Sequence, residues 1–330
     1  MLPTMSSTTS PAAPAPASDE TGTTLRLLWP QWQGATAANI EALFAEQPYE
    51  TARLGYAVGS RVLDAVLPGH VGPTAVVPVT TTDEGLDARD GIEAKDAVLR
   101  QLSAANDVIA AYDPSRILTL GGECSVSVAP FAALASRYGE DLAVIWIDSH
   151  PDVGTPSSDY HGYHAMAVAV LAGHGDADVQ ALLPATVPAA HIALAGMHSW
   201  TEDDIPNANE WGIASFSPED LRTTSTALLQ WLRSTGCSRV AVHLDVDVVD
   251  SDEVVLGLGA ETGGLSSFQV RRLVSDISQA ADVVGLTIAE FIPRQVIALQ
   301  RLVRDFPLLP PTSSGPAASP TASPTGGAHG

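Results

Sequence analysis

Cysteine is almost absent from this 330-residue chain, lysine nearly so, and aromatic residues make up only 5% of it. The two cysteines, Cys124 and Cys237, lie far apart with no CxxC spacing. Neither a disulfide framework nor a structural zinc module is therefore expected, and a reducing cytoplasm suits the chain best. Lys95 is the single lysine; with 15 arginines it faces 38 acids, for a formal net charge of −22. That field repels phosphate, so no nucleic-acid partner is expected, and it favours a cationic ligand. Acidity that only keeps the surface soluble is the simpler alternative. Long apolar runs are missing too: each is broken by polar or turn residues well short of the roughly 20 residues a membrane span needs. No basic segment followed by an apolar run opens the chain, so neither a membrane partner nor a secretory leader is expected.

With 45% apolar residues the chain has ample material for a buried core. Residues 1–24 and 310–330 are made largely of Ser, Thr, Pro, Ala and Gly, too poor in apolar surface to offset chain entropy, and are expected to be disordered tails. Between them, residues 25–309 read as one α/β domain. Short apolar runs (LRLLW, TAVVPV, RILTL, LAVIWID, HIALAG, VAVHLDVDVV and VVGLTIAEF) read as strands. They alternate with stretches of helical spacing such as IEAKDAVLRQLSAANDVIAAY, SVSVAPFAALASRYG, YHAMAVAVLAG, STALLQWLRSTG and SSFQVRRLVSDISQA. Such alternation predicts a mainly parallel sheet with helices on both faces, whose chemistry sits beyond the carboxyl ends of the strands.

Polar clusters stand at those ends. Asp148, His150 and Asp152 follow LAVIWI, and because alternate residues of a strand share a face they can converge on one point, offering two carboxylates and an imidazole to Mn2+, Zn2+ or Fe2+; a loop rich in turn formers such as Asp, Ser, Pro and His is the plainer reading. VAVHLDVDVVD repeats the arrangement with Asp245 and Asp247, and Asp250 just beyond. Paired carboxylates at the end of an apolar strand repel each other unless a cation neutralises them, so the pair argues for metal more than either acid does alone. Glu290 closes VVGLTIA in the same way, and Gly121, Gly122, Glu123, Cys124 and Ser125 occupy another strand-to-helix junction. Cys124 is either a soft metal donor or a small apolar filler.

These segments resemble the ureohydrolase motifs of the arginase, agmatinase and formiminoglutamase superfamily: GGECS is similar to GGDHS, DSHPD to DAHxD, HLDVDVVD to SxDxDxxDP, and TIAEF to the strand that carries the substrate-binding glutamate. The likeness covers roughly Arg116 to Pro293. It implies a three-layer αβα sandwich with a mainly parallel, about eight-stranded sheet, two Mn2+ ions bridged by a hydroxide, and a homo-oligomer, trimer or hexamer. By the same resemblance Asp148 and Asp245 would bridge the metals. Cys124 and Asp152 would complete the first, His150 and Asp247 the second. Asp250 would orient a ligand, Glu290 would hold the cationic nitrogens of a small guanidino or amidino substrate, and His164 would shuttle a proton to the leaving amine, with His161 its rival. The sequence departs from the pattern where Cys124 replaces a histidine ligand, which leaves open a softer metal such as Zn2+, or a single ion. His243 replaces the serine of SxDxD, either as an extra donor or as a hydrogen-bonded core residue.

Arginine itself is poorly supported, because Gly154 and the segment 196–200 stand where arginases hold the amino-acid end of the substrate. Glu202, Asp203 and Asp204 offer a place for a second cationic group instead. The expected function is metal-dependent hydrolysis of a C–N bond in a guanidino or amidino compound. The alternatives are a non-catalytic or single-metal relative with a binding role, and a deacetylase-like zinc amidohydrolase using Asp148, His150 and Asp245.

Overall fold

The computed structural model describes residues 23–310. Both expected tails fall, apart from their innermost residues, outside the described part.

Eight strands form one sheet: β1 Thr24–Trp29, β2 Thr74–Val76, β3 Arg116–Gly121, β4 Leu142–Ile147, β5 Ile192–Ala195, β6 Ala214–Phe216, β7 Arg239–Asp245 and β8 Asp282–Ala289. Their order is β2-β1-β3-β8-β7-β4-β5-β6, and every pairing is parallel. The arrangement expected from alternation and resemblance is therefore the one the chain adopts. The continuous apolar runs follow from it, since a parallel sheet covered on both faces buries every residue of its central strands; all six residues of β4 are buried.

Strand alternation divides the core in two. Val144 and Trp146 of β4 pack into the layer that includes Val98, Leu102 and Phe131, while Ala143, Ile145 and Ile147 point into the layer of Val270, Leu273 and Ile277. The helix Lys95–Tyr112 covers the first face with Val98, Leu102, Ala105 and Ile109 buried at helical spacing. Ser267–Ala280 covers the second with Val270, Leu273, Val274 and Ile277; a capping box between Ser266 and Gln269 starts it. No helix among the described residues is long and apolar enough to cross a membrane.

Local detail differs from the periodicity. The run SVSVAPFAALASRYG begins as a 3-10 turn, Cys124–Ser127, before the helix Val128–Tyr138, and YHAMAVAVLAG likewise splits into a turn at Tyr163–Met166 and the short helix Ala167–Leu171. β6 was not legible: three residues of an edge strand carry too little pattern. Helices Gly55–Val66, Asp204–Trp211 and Val296–Leu302 also went unread from the apolar spacing.

The β3 exit is crowded. Gly122 donates its N–H to the Trp29 carbonyl, and a Cβ there would lie 1.7 Å from the Gln31 carbonyl oxygen. Gly122→Ala must push apart two backbones that set the position of Cys124. We expect a loss of about 1–3 kcal/mol, the usual cost of overpacking, read as a lower denaturation midpoint; an unchanged midpoint would show that this junction yields freely.

Candidate metal centre

The donors gather where neighbouring strands β3, β8, β7 and β4 end. Cys124 opens the turn after β3, Asp148 follows β4, Asp245 ends β7 and Glu290 follows β8. All four are at least nine-tenths buried. Asp148 has one oxygen for each side of the cluster. Its Oδ2 accepts from Trp146 Nε1 at 3.0 Å and lies 3.8 Å from Cys124 Sγ; its Oδ1 accepts the His150 N–H at 2.7 Å. Cys124 Sγ is 3.1 Å from Asp245 Oδ2, and His150 Nδ1 is 3.3 Å from Asp247 Oδ2. Two compact donor groups share Asp148, one containing Cys124, Asp148 and Asp245, the other Asp148, His150 and Asp247, and a third joins Cys124 to His164 and Glu290.

Convergence does not arise from strand alternation throughout. β4 stops at Ile147, and the His150 N–H folds back on Asp148, so the side chains of 148–152 are aimed by a turn. β7 stops at Asp245, whose Oδ1 accepts the Asp247 N–H and starts a 3-10 turn, and Asp247 is then held by Ser149 Oγ at 2.6 Å. Asp152 belongs to none of these groups. Its backbone is left-handed at φ 49°, as is that of Glu290 at φ 63°, a conformation held against a local preference of the kind that collects at functional sites.

The electrostatics are those of crowded like charges. Burial, helped by Asp247, raises the Asp148 carboxyl to about 6. Asp152 and Asp245 stand well above the usual carboxylate range, first through burial and then through neighbouring acids, among them Asp148 for both. Burial works on Asp247 as well, but the His150 charge and the hydrogen bonds from His150 and Ser149 outweigh it and hold Asp247 at about 2. For His150 burial opposes the charged ring, yet Asp247 and Asp148 lift it well above an ordinary histidine. The Cys124 thiol is pushed far up by burial and by Asp245. Asp152 Oδ2 and His243 Nε2 are buried with no hydrogen-bond partner. Buried acids that resist ionising beside orphaned donor atoms are the condition a bound dication relieves, so the residues present fit divalent metal.

Cys124, His150, Asp152, Asp245 and Asp247 open onto a cavity of about 320 Å3 whose wall also holds His164 and Glu290. Glu290 Oε1 accepts the Cys124 N–H at 3.0 Å and meets His164 Nδ1 at 3.2 Å; His164 Nε2 meets the Tyr160 hydroxyl at 2.6 Å. Burial disfavours the His164 charge, but Tyr160 and Glu290 outweigh it and raise its pKa well above the ordinary value. His161 is exposed and outside the wall, and Asp250 only accepts from the Asp252 N–H. Of the three acids at 202–204, Asp204 alone reaches the wall; Asp203 is tied to Ser158 and Thr201.

Several residues of the site were given no role from the sequence. Glu123 is wholly buried and accepts from Gln31 Nε2 at 2.6 Å and the Gly34 N–H at 3.1 Å, pinning a distant loop beneath Cys124. Tyr160 and Trp146 hold a catalytic candidate and a ligand candidate respectively. Trp146 had a faint signal, two residues before Asp148 on the same strand face.

The arginase family model matches residues 70–300. The chain belongs to the arginase family. It is 24% identical over 273 residues to an arginase of Entamoeba histolytica, covering 80% of this chain and 89% of that protein. With the arginase of Staphylococcus aureus (strain MSSA476) it shares 27% identity over 199 residues, 58% of this chain, and spans only 65% of that relative's length. The crystal structure of the Entamoeba histolytica arginase in complex with L-ornithine superposes with a TM-score of 0.68 at 18% identity, covering 86% of this chain and 96% of that one. Proclavaminate amidino hydrolase of Streptomyces clavuligerus gives 0.61 at 18%, with 85% and 88% covered. At such identities these structures speak for the arginase fold. The family match contains every donor named above from Cys124 to Glu290.

Proposed function

We propose that this arginase-family chain is a metal-dependent hydrolase that cleaves a C–N bond of a small guanidino or amidino compound lacking an α-carboxylate. The observation that carries this is the meeting of Cys124, Asp148, His150, Asp245 and Asp247 beside one acidic cavity that also contains Glu290 and His164. Family membership supports metal-dependent hydrolysis of such groups; the substrate class rests on the cavity. Its wall carries Asp152, Asp204, Asp245, Asp247, Glu261 and Glu290 and, among the described residues, no lysine or arginine. An amino-acid carboxylate entering there finds no lysine or arginine to pair with and six acids around it, whereas a second cationic or neutral end meets Asp204, Thr201 and Trp200.

Bound divalent ions would supply the positive charge that makes water a nucleophile near neutral pH, held by Asp148 and Asp245 between Cys124 and Asp152 on one side and His150 and Asp247 on the other. The protein does the rest. Glu290, anchored by the Cys124 N–H, orients the planar cation by charge-assisted hydrogen bonds. His164, kept protonated by Tyr160 and Glu290, donates to the departing amine. Buried walls limit bulk water at the reacting carbon.

Urea release by Mn2+-loaded protein should be measured on arginine, agmatine, guanidinobutyrate and alkylguanidines. We expect kcat/KM for the carboxylate-free compounds to exceed that for arginine by at least about 100-fold, the discrimination that an unpaired buried charge imposes. Arginine as the best substrate would overturn the substrate class; no release from any of them would overturn the hydrolase.

A further inference from the structure

His243 has no part in the hydrolysis outlined above, yet it lies behind the carboxylates in the middle of the sheet. It is fully buried on β7, and its ring stacks on that of Trp146, its register partner on β4, with 3.6 Å between centroids and 8° between planes. Nδ1 is 2.7 Å from Ser127 Oγ. Nε2 has no hydrogen-bond partner and points at the metal cluster, 3.8 Å from Asp148 Oδ2. A buried imidazole nitrogen without a partner that faces acids is a free donor atom, and a shared cation would satisfy it and the acids together.

That nitrogen completes a set. Cys124 Sγ, one oxygen each of Asp148 and Asp245, and a His243 ring nitrogen all lie within 4.8 Å of one another. The separations, 3.1 Å from Cys124 Sγ to Asp245 Oδ2 and 3.8 Å to Asp148 Oδ2 from both Cys124 Sγ and His243 Nε2, bracket the edges of about 3.3–3.6 Å that a tetrahedron with zinc-like bond lengths would have. The two departures from the ureohydrolase pattern now explain each other. The imidazole that Cys124 removes from the β3 junction is returned by His243 from β7.

We propose that Cys124, Asp148, His243 and Asp245 form a four-donor site for a borderline-soft dication, Zn2+ in preference to Mn2+, in which His243 Nε2 supplies the imidazole ligand. This rests on the metal-dependent reading above and assigns its first ion. One thiolate, one imidazole and two carboxylates suit zinc, whereas manganese prefers oxygen donors throughout. Ser127 fixes the ring: with Nδ1–H donating to Ser127 Oγ, the Nε2 lone pair faces the ion. On binding, Cys124 loses its thiol proton to solvent and the freed sulfur lone pair forms the metal–sulfur bond. In this assignment His243 takes the ligand place given above to Asp152, which lies outside the four-donor group and lines the cavity.

The test is a Co2+ titration of the full chain, stripped of metal under reducing conditions, with Zn2+ affinity measured by competition. The parent protein should show a thiolate-to-cobalt charge-transfer band and the intense visible bands of four-coordinate cobalt. His243→Ser should keep the charge-transfer band, lose intensity in the visible bands and bind Zn2+ at least about 10-fold more weakly, a floor set by what mutation of a group supporting a ligand costs. Because that exchange unburdens a packed site and can disturb folding, the double variant Cys124→His with His243→Ser is measured beside it. It should lose the charge-transfer band and shift its preference from Zn2+ toward Mn2+. Unchanged visible bands and Zn2+ affinity in a folded His243→Ser would overturn the assignment of His243 while leaving the hydrolase intact. Cobalt bound by the parent without a charge-transfer band would overturn it at Cys124. No metal bound by the parent at all would overturn both this assignment and the metal-dependent reading.

Discussion

Asp148→Asn is expected to strip metal from both halves of the centre and to lower kcat/KM by more than about 100-fold, beyond the 10–100-fold range typical of groups that merely support a ligand. The reason is geometric. Oδ2 of Asp148 faces Cys124 and His243 while Oδ1 faces His150, so one carboxylate serves both donor groups. Asparagine keeps the size, but its one oxygen can accept from only one of Trp146 Nε1 and the His150 N–H, which Asp148 serves with separate oxygens, and it brings no charge and only one good ligand oxygen. Metal content per chain and urea release, measured on the same preparation, check this. The same variant makes a second, opposite claim about the metal-free protein: with one crowded charge removed, it should melt at a higher temperature than the metal-free parent. A variant that retained full metal content would mean that Asp148 is not a shared ligand, and the centre would have to be redrawn around Asp245.

Metal removal should reverse the way stability responds to pH. In the metal-free protein Asp148 titrates near 6 against an ordinary value of 3.8, so between those values the folded state holds a proton that the unfolded chain has released. Stability then falls as pH rises through that window. Asp152 and Asp245, raised further, extend the decline upward, and His150 and His164, raised above the ordinary histidine value of 6.5, act in the same direction above it. Asp247, held at about 2, has the opposite sign but acts only below its ordinary 3.8, outside this range. Divalent ions bind the deprotonated ligands, so the rise in melting temperature on adding metal should be small near pH 5 and large near pH 8. Calorimetry with chelator and with metal across that range tests it. A metal-free melting temperature that is flat or rises from pH 5 to 8 would show that these acids do not crowd one another in the folded protein.

Much of the fold was legible because parallel sheets write themselves as unbroken apolar runs. LAVIWI and VAVHL are strands for that reason, and the acids that follow each run mark the strand ends where ligands gather. Asp148, His150, Asp245 and Asp247 could be named before any geometry was known, since each pair sits within three residues on one segment. The strand-face argument used to reach them was nevertheless incomplete: turns closed by Asp148 and Asp245 themselves aim His150 and Asp247. β6 and the helix Gly55–Val66 were not legible, one for shortness and the other because its buried face, though at helical spacing, is made largely of Gly55, Gly59 and Ser60 and so shows little apolar pattern.

Composition and local pattern by themselves determined an acidic α/β protein with carboxylates at its strand ends, because charge balance and apolar periodicity are properties of consecutive residues. Which acids come within reach of one another, which histidine lines the cavity, and what the free nitrogen of His243 faces depend only on the tertiary structure. Those questions turn on distances of three to four ångströms between residues such as Cys124 and Asp245, 121 positions apart in the chain. The order β3-β8-β7-β4 sets those distances, and no local preference encodes a strand order.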